Sequence, residues 1–147
     1  MGQVCYQDYV VKTVRASLVL TTSYVAGIIL GSKNGVVGTA APADLLLENY
    51  NQLNLLVDFT IGSLTSAEIM IEYGIDDGAG SVDYYQETFQ NIGGATSTDT
   101  LGNHTITATG KYIISVPLKC RYVKVSSKGT GTVTNSLLAV KAILGVV

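Results

Sequence analysis

Residues 52–73 read QLNLLVDFTIGSLTSAEIMIEY, and this stretch decides the fold class. Apolar residues occupy every second position of its first half, namely Leu53, Leu55, Val57, Phe59 and Ile61. The second half repeats the alternation with Ala67, Ile69, Ile71 and Tyr73. A period of two residues predicts two β-strands, each with one buried face. Turn-forming residues at 62–66 separate the two segments, so we expect them to pair as a hairpin.

Short strand patterns of this kind cover most of the chain. They lie at Val10–Val14, Ser17–Thr22, Ser23–Leu30, Val82–Gln90, Asn103–Thr109, Lys111–Leu118, Arg121–Ser126 and Leu137–Leu144. Only Ala43–Tyr50, with Pro42 before it, has a pattern compatible with a short helix. We therefore predict an all-β protein, a single antiparallel β-sandwich or jelly roll over residues 1–147 with at most one short helix.

The composition narrows the range of partners. The chain has 147 residues, of which 47% are hydrophobic and 14% are charged, with a net charge of −2. No apolar run approaches the roughly 20 residues of a membrane helix, and the cations form no stripe suited to nucleic acid. We therefore expect neither a membrane nor a nucleic acid as a partner. A low charge with high apolarity is typical of subunits that bury surface against each other.

Few residues have the chemistry of a catalytic site. The single histidine, His104, lies within a strand pattern and is interpreted as a surface residue. Cys5 and Cys120 form no metal-binding motif, so they are interpreted as free thiols, with a disulfide as the alternative. Glu68 and Glu72 share one strand face, which we expect to be solvated. We accordingly expect a non-enzymatic protein without a cofactor.

The segment Asp76–Asp83 combines acidic residues with glycines. Its glycines and aspartates are typical of a turn in which carboxylates bind their own backbone. The alternative is a calcium loop with Asp76, Asp77 and Asp83 as ligands, although the spacing differs from that of an EF-hand.

Three segments resemble a known group of proteins. They are IEYGIDDG at 71–78, DYYQETF at 83–89, and KYIISVPLKCRYVKVSSKGTGTVTNSLLAVKAILG at 111–145. Over residues 50–147 the chain resembles small β-sandwich virion structural proteins of tailed bacteriophages. The resemblance implies a head decoration or auxiliary protein, often a homotrimer, that attaches to the lattice of the major capsid protein. It also implies synthesis in the host cytoplasm and a final place in the virion. Residues 1–15 contain no basic region followed by an apolar block, so we expect no signal peptide.

The same region is similar to the closing strands of discoidin-type, galactose-binding-like jelly rolls, from which it departs in lacking tryptophan and a framing disulfide. That likeness implies an alternative function as a carbohydrate- or cell-surface-binding module, either on a phage tail or baseplate or as a bacterial accessory domain. An aromatic platform would then come from the tyrosines Tyr84, Tyr85, Tyr112 and Tyr122.

The last strand pattern is the predicted subunit contact. Apolar residues occupy both of its alternating sets, so one set remains after the other is buried in the core. We expect the strand to lie inside a sheet or under a neighbouring subunit. The predicted contact residues are Leu137, Ala139, Ile143, Val146 and Val147.

Overall fold

The fold is given by a computed structural model, which describes residues 8–31, 47, 50–76, 79, 81–86, 88–90, 99–101 and 103–146. Eleven strands lie within these ranges. They are β1 (Asp8–Leu18), β2 (Val25–Ala26), β3 (Gln52–Thr60), β4 (Leu64–Asp76), β5 (Val82–Gln86), β6 (Thr88–Gln90), β7 (Asp99–Leu101), β8 (His104–Ile106), β9 (Gly110–Val116), β10 (Tyr122–Gly131) and β11 (Leu137–Val146).

The strands form two main antiparallel sheets that pack against each other. The four-stranded sheet has the order β1-β11-β3-β9, and the five-stranded sheet has the order β2-β10-β4-β5, with β8 also paired to β4. Strands β6 and β7 form a separate two-stranded sheet. The predicted antiparallel β-sandwich is confirmed.

The core lies between the two main sheets, where β3, β4 and β11 each contribute every second side chain. The four-stranded sheet contributes Leu53, Leu55, Val57 and Phe59 from β3, and Leu138, Val140, Ala142 and Leu144 from β11. The five-stranded sheet contributes Ala67, Ile69, Ile71 and Tyr73 from β4. These are the faces that the alternation predicts, because a strand with one dry face must turn its apolar set inward.

The predicted hairpin between β3 and β4 is wrong. β3 pairs with β11 and β9, whereas β4 pairs with β10, β5 and β8. The turn after β3, closed by the Leu64 N–H donating to the Ile61 carbonyl at 3.0 Å, therefore crosses from one sheet to the other. It lies against the crossing from β10 to β11, since a Cβ at Gly62 would lie 2.5 Å from the Asn135 carbonyl oxygen.

The segment between β2 and Gly31 closes one side of the sandwich. Within the predicted strand Ser23–Leu30, only β2 is a strand. The Gly27 N–H donates to the Val125 carbonyl of β10 at 2.9 Å, and the Ile28 N–H donates to the Val14 carbonyl of β1 at 2.8 Å. This segment therefore joins an edge of each sheet. Its backbone groups are paired with both strands rather than with one.

The remaining strand expectations hold in part. The pattern at 10–14 and the first two residues of the pattern at 17–22 belong to one strand, β1, which ends at Leu18 and has register shifts between Thr13 and Arg15 and between Arg15 and Leu18. The pattern at 82–90 divides into β5 and β6, which belong to different sheets. Most of the predicted helix lies outside the described residues; Leu47 is buried, and its carbonyl accepts the Tyr50 N–H at 3.0 Å.

Candidate functional site

Apolar side chains cross the outer face of the four-stranded sheet, the face directed away from the core. Val11 is the register partner of Ile143, and Leu56 is the partner of Ile113. Ile113 is 71% exposed and Val11 is 47% exposed, while Leu56 and Ile143 are half-buried. We call Val11, Ile143, Leu56 and Ile113 the apolar stripe. Outer faces of antiparallel sandwich sheets are usually polar, so the stripe is a candidate contact surface.

Consecutive apolar residues in the sequence are the signal for this stripe. Each stripe residue has an apolar neighbour in the chain, as in the pairs Val10-Val11, Leu55-Leu56, Ile113-Ile114 and Ile143-Leu144. Successive side chains on a strand point to opposite faces, so only one residue of each pair can enter the core. A contact surface was predicted from this pattern only for the last strand.

A groove of about 650 Å³ lies on the same outer face. All four strands of the sheet line it, through residues that include Arg15, Leu56, Lys111, Ile113, Ala139 and Lys141. Ala139 is small and half-buried, and Leu56 and Ile113 come from the apolar stripe. The groove therefore combines an apolar lining with cationic side chains, which suits a ligand of mixed character.

Two lysines supply exposed charge to the groove. Lys111 Nζ lies 3.9 Å from Asp58 Oδ2, and the two side chains are 85% and 62% exposed. Such a solvated pair contributes little to stability and exchanges partners easily. Lys141, also exposed, has no ion pair within the described part of the chain. Both ammonium groups are therefore available to an anionic ligand.

Arg15 stabilises the β1 end of the groove. Its guanidinium donates to the carbonyls of Ala16, Leu138 and Val19 at 3.0 to 3.1 Å, and to Ser127 Oγ at 3.2 Å. Burial lowers the pKa of the Arg15 guanidinium, which nevertheless stays charged at neutral pH. Because most of its donors are already used, Arg15 shapes the groove and leaves the lysines to bind charge.

The outer face of the five-stranded sheet carries a different, polar arrangement. Lys124 Nζ lies 3.1 Å from Glu72 Oε1, and Lys128 Nζ lies 3.4 Å from Glu68 Oε2. Each lysine also lies over an aromatic ring, Lys124 at 4.2 Å from the Tyr84 centroid. The two glutamate side chains are only 16% and 25% exposed, so the expectation of a solvated face is wrong. Both carboxylates bind lysines of the neighbouring strand β10, and these cross-strand pairs stabilise the sheet.

Tyr24 completes this arrangement at Glu68. Its hydroxyl donates to Glu68 Oε2 at 2.6 Å and accepts a bond from Asn103 Nδ2 at 3.0 Å, and Asn103 Oδ1 accepts a bond from Gln86. Burial, with the Glu68 carboxylate as the next cause, raises the pKa of Tyr24 to about 12. The bond from Tyr24, with Lys128 as a further cause, lowers the pKa of Glu68.

The tyrosines of the predicted aromatic platform do not come together. Tyr122 is buried, whereas Tyr85 is 60% exposed. Tyr84 and Tyr85 are consecutive on β5 and point to opposite faces, while Tyr112 belongs to β9 in the other sheet. The Tyr84 hydroxyl is buried and has no hydrogen-bond partner among the residues that the structure describes. A single sugar-stacking surface built from all four rings is therefore not formed.

The predicted acidic loop lies partly outside the described residues. Asp77 is not described, the backbone of Asp76 pairs with Val82, and Asp83 is exposed. Within the described ranges, no three side chains of histidine, cysteine, aspartate or glutamate are grouped so that they could hold a metal ion. The calcium alternative stays a prediction.

The histidine and the cysteines considered as candidate site residues are not part of a site in the described structure. His104 is exposed on β8, as predicted for a surface residue. Cys120 carries a free, half-buried thiol, and Cys5 lies outside the described residues.

The residues of the predicted subunit contact do not all lie on one face of the four-stranded sheet. β11 lies inside its sheet, between β1 and β3, which confirms one of the two positions expected for the last strand. Leu137, Ala139 and Ile143 alternate with its core residues and so belong to the outer face. Val146 is half-buried and pairs with Asp8, while Val147 lies outside the described residues. Any contact that β11 makes with another molecule is therefore through side chains, since both of its edges are paired.

A scan against protein-family models, a search of curated proteins and a search of solved structures found no match to this chain. In the part of the chain that the structure describes, no helix has the length and apolarity needed to cross a membrane.

Proposed function

We propose that this protein is a non-enzymatic structural subunit that binds other protein subunits through the outer face of its four-stranded sheet. The apolar stripe carries this proposal. Its four side chains come from four different strands, and two of them, Val11 and Ile113, are roughly half exposed or more. Burying such a surface against a partner releases water from apolar area, which is the main favourable contribution to most protein association.

The setting that we propose is the virion of a tailed bacteriophage, where the protein decorates the head as a homo-oligomer, such as a trimer, bound to the major capsid lattice. The resemblance of residues 50–147 to phage virion proteins supports this setting, and the apolar stripe supports the assembly that it requires. A symmetric oligomer engages several lattice sites at once, so weak single contacts yield a large combined affinity.

The mass of the purified protein in solution tests the assembly. Light scattering coupled to gel filtration is expected to give an oligomer for the natural protein. Ile143→Lys places a charge in the apolar stripe and is expected to shift the mass towards the monomer. Thr130→Lys adds the same charge at an exposed position of β10, outside the stripe, and is expected to leave the mass unchanged.

A natural protein that is monomeric at every concentration would contradict the proposed assembly. A monomer that also binds glycans on an array would favour the alternative, a carbohydrate-binding module. The viral setting has a separate test, because genes for capsid, portal or tail proteins should adjoin the gene, and the protein should be recovered by mass spectrometry from purified particles. A bacterial neighbourhood without such genes would overturn that setting.

A further inference from the structure

We infer that the groove of the four-stranded sheet binds a short, acidic and amphipathic segment of a partner protein. Apolar side chains of the segment contact Leu56 and Ile113, and its carboxylates bind Lys111 and Lys141. The inference rests on the proposed function in taking this outer face as the interacting surface, and it adds the chemistry of the partner.

The charge around the groove is opposite to that of the whole chain. Its lining contains two exposed cations, Lys111 and Lys141, and one carboxylate, Asp58, whereas the chain has a net charge of −2. Arg15 also lines the groove, but its guanidinium donates to backbone carbonyls and to Ser127 Oγ of the opposite sheet. Lys141 has no ion pair among the described residues, and Lys111 has only its long, solvated contact with Asp58. Positive charge placed beside apolar surface attracts a segment that carries both carboxylates and apolar side chains.

The width of the sheet limits the length of the segment. Neighbouring strands lie about 4.8 Å apart, so the distance from β1 to β9 across three such intervals is roughly 14 Å. An extended chain rises about 3.3 Å per residue, so roughly four or five residues cross the sheet. The groove volume of about 650 Å³ is within the usual range for a bound ligand of this size.

A second copy of the same face would fit this groove poorly. A two-fold contact places the same surface on both molecules, and two concave surfaces leave a void between them. The groove therefore favours an inserted segment of a partner protein over a second copy of the same face. Its β1 end is held in place by the Arg15 hydrogen bonds, so little ordering is needed when the segment binds.

Labelled peptides test the inference directly. The probe is a capped, fluorescent peptide of sequence Asp-Leu-Ile-Leu-Asp, compared by anisotropy with Lys-Leu-Ile-Leu-Lys and with Asp-Ser-Gly-Ser-Asp. We expect the first peptide to bind at least about tenfold more tightly than either control, because only it matches both the charge and the apolar lining. The double variant Lys111→Glu, Lys141→Glu is expected to reverse the preference between the two charged peptides. Lys119→Glu changes an exposed lysine outside the groove and is expected to leave the preference as it was.

The two proposals fail in different ways. Equal binding of the acidic and basic peptides, absence of binding, or binding that the double lysine variant leaves unchanged would overturn the groove assignment. None of these results alters the solution mass, which tests assembly through Ile143. Conversely, if the protein is a monomer and binds the acidic peptide with the expected charge preference, the groove assignment stands and the proposed self-assembly is overturned.

Discussion

Tyr24 donates its hydroxyl proton to Glu68, and this single contact predicts how the carboxylate titrates. The hydrogen bond stabilises the ionised form, and Lys128 adds to it, which lowers the pKa of Glu68. Tyr24→Phe removes the donor and leaves the ring. We expect the pKa of Glu68 to rise towards its ordinary value of about 4.3, measured by NMR titration of its side-chain carboxyl carbon. Tyr85→Phe, at an exposed ring, is the control and should leave that pKa in place.

The same contact makes the stability depend on pH. Because the folded-state pKa of Glu68 is lowered, its contribution is complete above the unfolded pKa and is lost as pH falls through the folded pKa. The difference in unfolding free energy between the natural protein and Tyr24→Phe should therefore be largest near neutrality and shrink in acid. A Glu68 pKa that does not move in Tyr24→Phe would show that Lys128 alone holds it low.

Gly31 is a second position where one residue determines the local structure. Its φ of +109° is in a region that side-chain-bearing residues rarely adopt, and an added Cβ would lie 2.4 Å from the Arg121 carbonyl oxygen. Gly31→Ala should therefore lower the unfolding free energy by about 1–3 kcal/mol, measured by urea denaturation. Gly110→Ala is the control, since its nearest neighbours are atoms of the Tyr112 ring, which can move. Equal losses in both variants would contradict a specific role for the Gly31 backbone.

At the scale of the element, β1 is a strand that needs an additional donor. Its register shifts on both sides of Arg15, and a shifted register leaves carbonyl groups without ladder partners. The Arg15 guanidinium donates to the carbonyls of Leu138 and Val19, and its Nε donates to Ser127 Oγ on the opposite sheet. Arg15→Ala should cost about 1.5–3 kcal/mol of unfolding free energy, because two part-buried acceptors, the Leu138 carbonyl and Ser127 Oγ, lose a charged donor.

The variant Arg15→Lys tests whether the positive charge or the planar shape of the Arg15 guanidinium stabilises β1. Arg15→Lys keeps the positive charge but has no planar fork that reaches several acceptors at once. We expect its denaturant midpoint to lie close to that of Arg15→Ala. A midpoint equal to that of the natural protein would show that a cation alone is sufficient at this position.

The strands could be predicted from the sequence more reliably than their partners. Alternation at 52–61 and 67–73 correctly identifies the buried face of β3 and β4, because the period of the side chains is a local property. It contains no information on which strand pairs with which, so a turn between two sheets was predicted to be a hairpin. A hairpin and a turn between two sheets differ in how β3 and β4 pair with the distant strands β9, β10 and β11. The periodicity of a single sequence contains no signal for such long-range pairing.

At the scale of the whole molecule, the candidate site depends on that same pairing. The groove joins residues from β1, β3, β9 and β11, which lie more than a hundred positions apart at the extremes of the sequence. Ala139 and Ile143, which were predicted as subunit-contact residues, lie on the outer face because alternation determines the face. Lys111, Lys141 and Arg15 were not predicted, since their proximity follows only from the strand order.

Two consecutive isoleucines of β9 test whether the two faces of one sheet have separate roles. Ile114 is buried against the core and is the partner of Leu55, whereas Ile113 is 71% exposed in the apolar stripe. Ile114→Ala should lower the unfolding free energy by about 2–5 kcal/mol, since it leaves a cavity between the sheets. Ile113→Ala should change it by no more than about 0.5 kcal/mol, because a side chain exposed to that extent leaves no cavity.

The solution mass of these two variants is expected to follow the opposite order. Ile113→Ala removes apolar area from the proposed contact surface and should weaken the oligomer, while folded Ile114→Ala keeps that surface and should keep the natural mass. Unfolding is followed by circular dichroism at a concentration where light scattering finds only monomer, since assembly raises the apparent stability. If Ile113→Ala keeps the natural mass, or if both variants lose stability equally, the outer face has no separate role in assembly. The two roles can be separated in this way because adjacent residues of a strand face opposite sides of the sheet, one towards the core and one towards a partner.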